Sequence, residues 1–142
     1  MAAQFEEDGI QLLYPENWEL QREDTENGWT IALQSPDTAF LVMSFDSDMP
    51  DTDVMAQTAL DALKGEYEDL EADSCMETVA GQPAVGHDVR FFSLDLTNSC
   101  WIRSFYSGRG TVLVMWQLND LELDRHERVL RAICASIKVE ED

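Results

Sequence analysis

The densest group of side chains that could do chemistry is a run of carboxylates between residues 46 and 53. Asp46, Asp48, Asp51 and Asp53 are spaced so that their oxygens could converge on a hard cation such as Ca²⁺. An EF-hand loop beginning at Asp46 needs Gly at its sixth position and Glu at its twelfth, where this sequence has Asp51 and Gln57. Helix capping and solvation therefore explain the run better than a metal site does. We predict no cofactor.

Histidine and cysteine are too widely spaced in the sequence to define a catalytic motif. Cys75, Cys100 and Cys134 form an odd set without CxxC spacing, which indicates neither a disulfide framework nor a zinc knuckle. His87 and His126 fall on a predicted strand and a predicted helix, with no ligand spacing between them. An enzyme is an alternative only if distant residues assemble a site around His87.

Charge is unevenly distributed along the 142 residues, whose formal net charge is −20. Residues 1–79 hold 20 acidic residues against only Arg22 and Lys64, whereas residues 80–142 are nearly balanced. A field of this sign repels phosphate groups, so nucleic acid and anionic membranes are poor partners. The acids serve either as a solubility coat or as a surface for a basic protein partner.

The predicted partner surface lies on the first helix. Asp61, Glu66, Glu68 and Asp69 occupy its solvent side, opposite an apolar stripe. A tryptophan that stayed partly exposed beside acids would add a hot spot for a basic, apolar segment of the partner. The four tryptophans are Trp18, Trp29, Trp101 and Trp116.

The order of the predicted elements favours a mixed fold. Four short strands come first, and Pro15 ends the first of them because proline has no amide donor. A helix follows from Asp51 or Thr52 to about Leu70, then four more strands, and then a helix from near Asn119 to about 137. The apolar stripe of the first helix is formed at three- and four-residue steps by Ala56, Leu60, Leu63, Tyr67 and Leu70.

These connections predict an α+β fold with a largely antiparallel β-sheet covered by two main helices. Strands joined by short turns pair antiparallel, and amphipathic helices must bury their apolar faces against the sheet. Arg90 and Arg103 fall inside strands, where we expect them to pair with acids across the sheet. We predict a single domain over 1–142 with an ordered core of about 5–139, a loose or weakly paired arm at 1–8 and an acidic end at 139–142. Because no signal peptide is recognisable, we expect a cytoplasmic protein.

Several short motifs resemble the PsbP/Mog-type family of α/β/α sandwiches. They are the opening IQLLYP with Trp18, the VAGQPA turn at 79–84 before a long strand, and a final helix that ends in Ser-Ile-Lys at 136–138. In that family one branch assists photosystem II and another binds a small nuclear GTPase, while many bacterial members have no known activity. The resemblance therefore implies a non-enzymatic binding or accessory role, and no branch-specific binding residue carries over to this chain.

The leading prediction is a small acidic, non-enzymatic protein-binding or accessory domain. A second interpretation is a secretion-type chaperone or immunity protein, which would also be small and acidic and would hold one client. The neighbouring gene distinguishes these two, because an adjacent effector or toxin favours the second. The third interpretation is the enzyme assembled around His87.

Overall fold

The computed structural model describes residues 2–93 and 95–140, and it confirms the α+β fold. Two main helices are present, α1 (Thr52–Glu66) and α2 (Leu123–Ala135), and a short 3₁₀ turn (Asp120–Glu122) precedes α2. The strands are β1 (Ala2–Glu7), β2 (Ile10–Pro15), β3 (Glu19–Thr25), β4 (Gly28–Gln34), β5 (Phe40–Asp46), β6 (Leu70–Val79), β7 (Gln82–Ser93), β8 (Leu96–Tyr106), β9 (Thr111–Asn119) and β10 (Lys138–Val139).

The strands form two antiparallel sheets. The larger sheet has the order β3-β4-β5-β9-β8-β7-β6, so that β3 and β6 are its edges. The smaller sheet has the order β1-β2-β10. Two-residue turns join β1 to β2 and β6 to β7, and both place glycine at positive φ, Gly9 at 78° and Gly81 at 77°.

Each face of the larger sheet has its own apolar core. On one face α1 covers β7, β8 and β9, where Leu60 and Leu63 pack with Phe91 and Ile102. On the other face α2 and the small sheet enclose a larger cluster. Its largest side chains include Trp29, Phe45, Phe105, Leu118, Leu130 and Leu12. Both covering layers lie over the central strands, and β6 packs mainly against its one neighbour, β7.

Helix α1 is one turn shorter than the apolar spacing predicts. It begins after Asp51, whose side chain accepts a hydrogen bond from a backbone amide in the first turn, and it ends at Glu66. A longer helix would place Glu66, Glu68 and Asp69 together at the negative end of its dipole. Leu70 instead begins β6 but still packs against the cluster under α1. Because Leu70 packs against the same core as Leu60 and Leu63, its position continues the apolar spacing of the helix although it lies in a strand.

The N-terminal arm, predicted as loose or weakly paired, is strand β1, which pairs with β2 over its whole length. Phe5 is buried with its ring centroid 5.0 Å from that of Trp29. The Trp29 indole N–H donates to Asp8 Oδ2 at 2.7 Å, and Arg22 Nε donates to Glu7 Oε1 at 2.7 Å. One buried aromatic ring and two polar contacts thus anchor an otherwise charged segment.

Other boundaries differ by a few residues. The turn predicted near 98–99 lies inside β8, and Asn119 caps the 3₁₀ turn rather than α2. In the segment predicted as an acidic end, Val139 belongs to β10 and pairs with β2. Residues 1, 141 and 142 of the predicted domain, and Leu94 at the predicted end of a strand, lie outside the described residues.

Arg103 is a buried charge inside the larger sheet, and for this residue the predicted pairing with acids across strands is confirmed. Arg90 lies opposite Glu71 in the strand register but forms no ion pair within the described residues. It lies on β8 with 4 % of its surface exposed. Its guanidinium donates to Glu77 on β6 and to Asp88 on β7, each at 2.8 Å, and lies 5.7 Å from the centroid of the Trp116 ring. A Cβ on Gly86 would lie 1.7 Å from the Ile102 carbonyl oxygen, so only glycine lets β7 approach β8 this closely beside Arg103.

We expect Arg103→Met to lower the free energy of unfolding by about 2–4 kcal/mol, because it leaves two carboxylates and two carbonyls without their donor. Arg103→Lys keeps the charge but not the planar fork, so its loss should be smaller. Urea denaturation measures both. The control is Arg131→Met on α2, where the ion pair with Glu127 is exposed and its removal should change little. Wild-type stability of Arg103→Met would contradict this role.

Candidate functional site

An acidic groove runs along the β6 side of the larger sheet, on the side away from α1 and around the end of the helix. It consists of two adjoining cavities of about 670 and 570 Å³, which share Glu71, Arg90 and Thr97 in their walls. The strands β6, β7 and β8 supply most of the lining, and the turn after α1 and the start of α2 close its ends. We call these two cavities together the acidic groove.

Carboxylates dominate the lining of the acidic groove. Its acidic residues are Glu68, Asp69, Glu71, Asp73, Asp88 and Asp120. The one basic residue among the lining side chains is Arg90. Asp88 also accepts the hydrogen bond from Arg103, whereas Glu71 and Asp73 form no ion pair within the described part of the chain. The groove therefore carries a concentrated negative potential toward solvent.

Apolar side chains lie between these acids. Phe92 lines the first cavity and is 71 % exposed, which is unusual for so large a ring. Trp101 and Leu123 line the second cavity. Trp101 is half-buried, stacks on Trp116 at 6.0 Å between ring centroids, and lies directly across the strand pair from Asp88. The remaining tryptophans are buried, so Trp101 is the one that fits the expected hot spot beside acids.

The predicted acidic surface divides into two parts. Glu68 and Asp69, predicted on the surface of the first helix, lie in the turn between α1 and β6 and line the acidic groove. Asp61 and Glu66 are exposed on α1, and Asp61 accepts a hydrogen bond from Gln57. Glu71, Asp73, Asp88 and Asp120 were not identified from the sequence. The first three alternate along strands that turn out to be neighbours, a signal that becomes informative only once the strand order is known, and Asp120 lies in the 3₁₀ turn with no such signal.

Two of the four aspartates considered as metal ligands bind backbone amides of the same loop. Asp46 ends β5, and its carboxylate accepts a hydrogen bond from the Asp48 amide at 2.9 Å. Asp51 caps α1 by accepting from the Asp53 amide at 2.8 Å. Two of the four carboxylates are thus engaged by backbone amides, in the capping pattern that the sequence favours over a metal site.

His87 lies on β7 beside a cavity of about 540 Å³ under the first half of α1. Burial lowers the pKa of its imidazole below 6.5, and the positive charges of Lys64 and Arg103 lower it further. Cys75 is paired opposite Gly86, so its thiol is on the other face of the sheet from His87. Burial also raises the pKa of that thiol. These positions do not form a Cys/His nucleophile pair.

We expect acid to destabilise the fold through His87. Because the folded-state pKa is lowered, the unfolded chain binds more protons once the pH falls below about 6.5, and stability decreases from there toward the folded-state pKa. His87→Gln should therefore lose less stability than the wild type between neutral pH and that range. Urea denaturation at a series of pH values measures the difference. Parallel curves for the two proteins would contradict the burial of a neutral imidazole.

A second polar cluster connects the loop between β4 and β5 to α2. Glu122 is 3 % exposed, and its carboxylate accepts hydrogen bonds from the Thr38 hydroxyl and from the Thr38 and Ala39 amides. His126 Nε2 lies 2.8 Å from Asp37 Oδ2, and this hydrogen bond lowers the pKa of the Asp37 carboxyl. From the sequence His126 was considered only together with His87, and neither Asp37 nor Glu122 was identified as its neighbour.

One carboxylate oxygen each of Asp37 and Glu122 and one ring nitrogen of His126 lie within 4.8 Å of one another. These three atoms are close enough to be ligands of one cation. A cation there would have to displace the hydrogen bond between Asp37 and His126, and Glu122 is already held by the loop amides. The contacts that the structure shows fasten the loop to α2.

No protein-family model and no curated protein matches the sequence. Solved structures do match the fold. PsbP (CyanoP) of Synechocystis sp. PCC 6803 is 17 % identical with a TM-score of 0.63, over 98 % of this chain and 92 % of that one. LpqN of Mycobacterium tuberculosis, which is involved in cell envelope biogenesis, is 15 % identical with a TM-score of 0.61, over 98 % and 90 %.

A Bacteroides thetaiotaomicron protein is 11 % identical with a TM-score of 0.63 over 98 % of this chain. This chain spans 48 % of that protein, or about half its length. At these identities the likeness establishes the fold and leaves activity to be argued from the site. Within residues 2–93 and 95–140, neither helix has the length and apolar character needed to cross a bilayer.

Proposed function

The chain has a PsbP-like fold, and from that premise we propose that it is a small accessory domain that binds a basic segment of a partner protein in the acidic groove. A fold of this kind does not specify a function, so the proposal depends on the site. The observation that carries it is the convergence of six carboxylates, the exposed ring of Phe92 and the half-buried ring of Trp101 on one continuous groove.

A solubility coat alone accounts for this convergence less well. A coat requires charge spread over the surface, and it gains nothing from a ring as exposed as that of Phe92. A binding site requires both features, because carboxylates steer a basic segment and an apolar side chain supplies contact area once water is excluded. Full burial of one such aromatic side chain contributes about 1.5–3 kcal/mol.

The proposed attraction depends on salt. Exposed charges act over about 10 Å in 0.1 M salt and over only about 3 Å in 1 M salt. A basic partner should therefore bind at low ionic strength and be released at high ionic strength. Partners rich in phosphate, such as nucleic acid, should not bind at either.

The cytoplasm is the compartment that we propose for this activity. Cys75, Cys100 and Cys134 are free thiols. Burial raises the pKa of Cys100 to about 12 and that of Cys134 to about 11, so both are protonated and unreactive at neutral pH. Unpaired thiols of this kind suit a reducing compartment.

The test is a pull-down from the native extract with the tagged protein at low and high salt. We expect a stoichiometric partner that is lost at high salt and is lost in the double variant Glu68→Lys and Asp69→Lys, because these acids line the groove. The matched control reverses two exposed acids of the opposite edge strand, Glu19→Lys and Glu23→Lys, and should keep the partner. Circular dichroism confirms that each variant is folded.

A further double variant, Asp61→Lys and Glu66→Lys, separates the groove from the outer surface of α1. These residues are exposed but do not line the groove, so their reversal should weaken binding less than reversal of Glu68 and Asp69. Equal retention of the partner by all three variants would show that the acidic groove is the wrong surface. An empty lane at both salt concentrations would favour the solubility coat.

A further inference from the structure

We propose that the basic segment binds as an added β-strand along the free edge of β6, so that the seven-stranded sheet gains an eighth strand. This inference rests on the proposed function, because it assigns a conformation and a residue pattern to the segment that the acidic groove attracts. The observations that carry it are the position of β6 in the sheet, the distribution of its side chains over two faces, and its charge.

Strand β6 is a long edge strand with a free side. Its ten residues, Leu70–Val79, pair only with β7 among the described strands. It contains no proline, and most of its side chains are exposed. An edge strand of this length presents a row of backbone amides and carbonyls that another extended chain can pair with.

The side chains of β6 alternate in chemistry from one face to the other. Glu71, Asp73 and Glu77 point to the face that contains the acidic groove, since Asp73 is paired opposite Asp88. The opposite face carries small and apolar side chains, among which Met76 is 81 % exposed. The members of that second set are Leu70, Ala72, Ser74, Met76 and Thr78.

Protection against aggregation does not by itself explain this arrangement. Charged side chains that only prevent edge-to-edge aggregation can lie on either face of a strand. On β3, the other edge strand, charged side chains lie on both faces. Glu19 and Glu23 point to one face of β3, while Arg22 and Asp24 point to the other. Arg22 also pairs with Glu7 of β1, so β3 is tied to the small sheet. On β6 the acids are confined to one face, next to the groove.

A second copy of this chain is a poor occupant of the edge. Pairing of two β6 strands would bring the acidic face of one copy beside that of the other, and like charges opposite each other are destabilising. The best complement is an extended segment with Lys or Arg at alternate positions and apolar residues between them. Its basic side chains would face Glu71 and Asp73, and its apolar side chains would contact Met76.

The experiment uses a synthetic peptide as long as β6 in which Lys and Val alternate. Its control has the same composition, with all Lys residues grouped before all Val residues. We expect the alternating peptide to bind about tenfold more tightly than the grouped one at low salt. We also expect residue-resolved amide exchange to slow at every second residue of β6 on binding, because only alternate amides of an edge strand point outward.

Variants locate the peptide on the sheet. Glu71→Lys with Asp73→Lys should abolish the preference for the alternating peptide, and Glu19→Lys with Glu23→Lys on β3 should leave it unchanged. Slowed exchange in β3 instead of β6 would overturn the proposal. A second result would also overturn it. If the outward β6 amides of the free protein exchanged more slowly as the protein concentration increased, a second copy of the chain would occupy the edge.

The outcomes separate this inference from the proposed function. If both peptides bind equally at low salt, are released at high salt and leave β6 exchange unchanged, the groove attracts basic segments but strand addition is wrong. If neither peptide binds at low salt, the attraction of basic segments is itself wrong. Preferential binding of the alternating peptide with slowed exchange along β6 supports both.

Discussion

The arrangement of this protein depends on one buried cation. Arg103 extends from β8 and binds Glu77 on β6 and Asp88 on β7, so a single side chain joins three neighbouring strands on one face of the larger sheet. In a chain with a net charge of −20, the acidic middle of this edge strand would otherwise be held to the sheet mainly by backbone pairing with β7. The guanidinium offsets two of the carboxylates that this region concentrates, and it packs against Trp116.

The covering layers determine which part of the sheet remains free. Helix α1 packs on β7, β8 and β9. On the opposite face, α2 packs against β9 of the larger sheet and against β2 of the small sheet. Because neither layer covers the middle of β6, most of its side chains stay exposed on both faces, although Leu70 and Val79 at its ends pack against the two cores. Its outer edge has no neighbour among the described strands. The groove, the exposed Phe92 and the open strand edge are all consequences of this incomplete cover.

The sequence predicts the fold better than it predicts the site, for physical reasons. Local spacing is sufficient for α1 up to Glu66 and for the apolar strands, because each buries a regular stripe. It fails for β1, where Phe5 alone is buried and its anchor Trp29 is distant in sequence. It fails again at Leu70, which shares a core with α1 without sharing the helix.

The site is harder still to predict, because it is made by strand order. Asp73 and Asp88 are fifteen residues apart, and Asp120 is further away, yet all three line one cavity. Glu68 and Asp69 were identified from the sequence as acidic surface because local charge density is visible there. Their membership of a groove with Phe92 and Trp101 requires the order β6-β7-β8, which no local pattern specifies.

The most direct test of this account is residue-resolved amide hydrogen exchange of the free protein. Strand β6 is paired on one side and open on the other. We therefore expect slow exchange along β7, which is paired on both sides, and alternating slow and fast exchange along Leu70–Val79. Uniformly slow exchange in β6 would mean that its edge is covered, and uniformly fast exchange would mean that it is not held in the sheet. Either result would contradict the account.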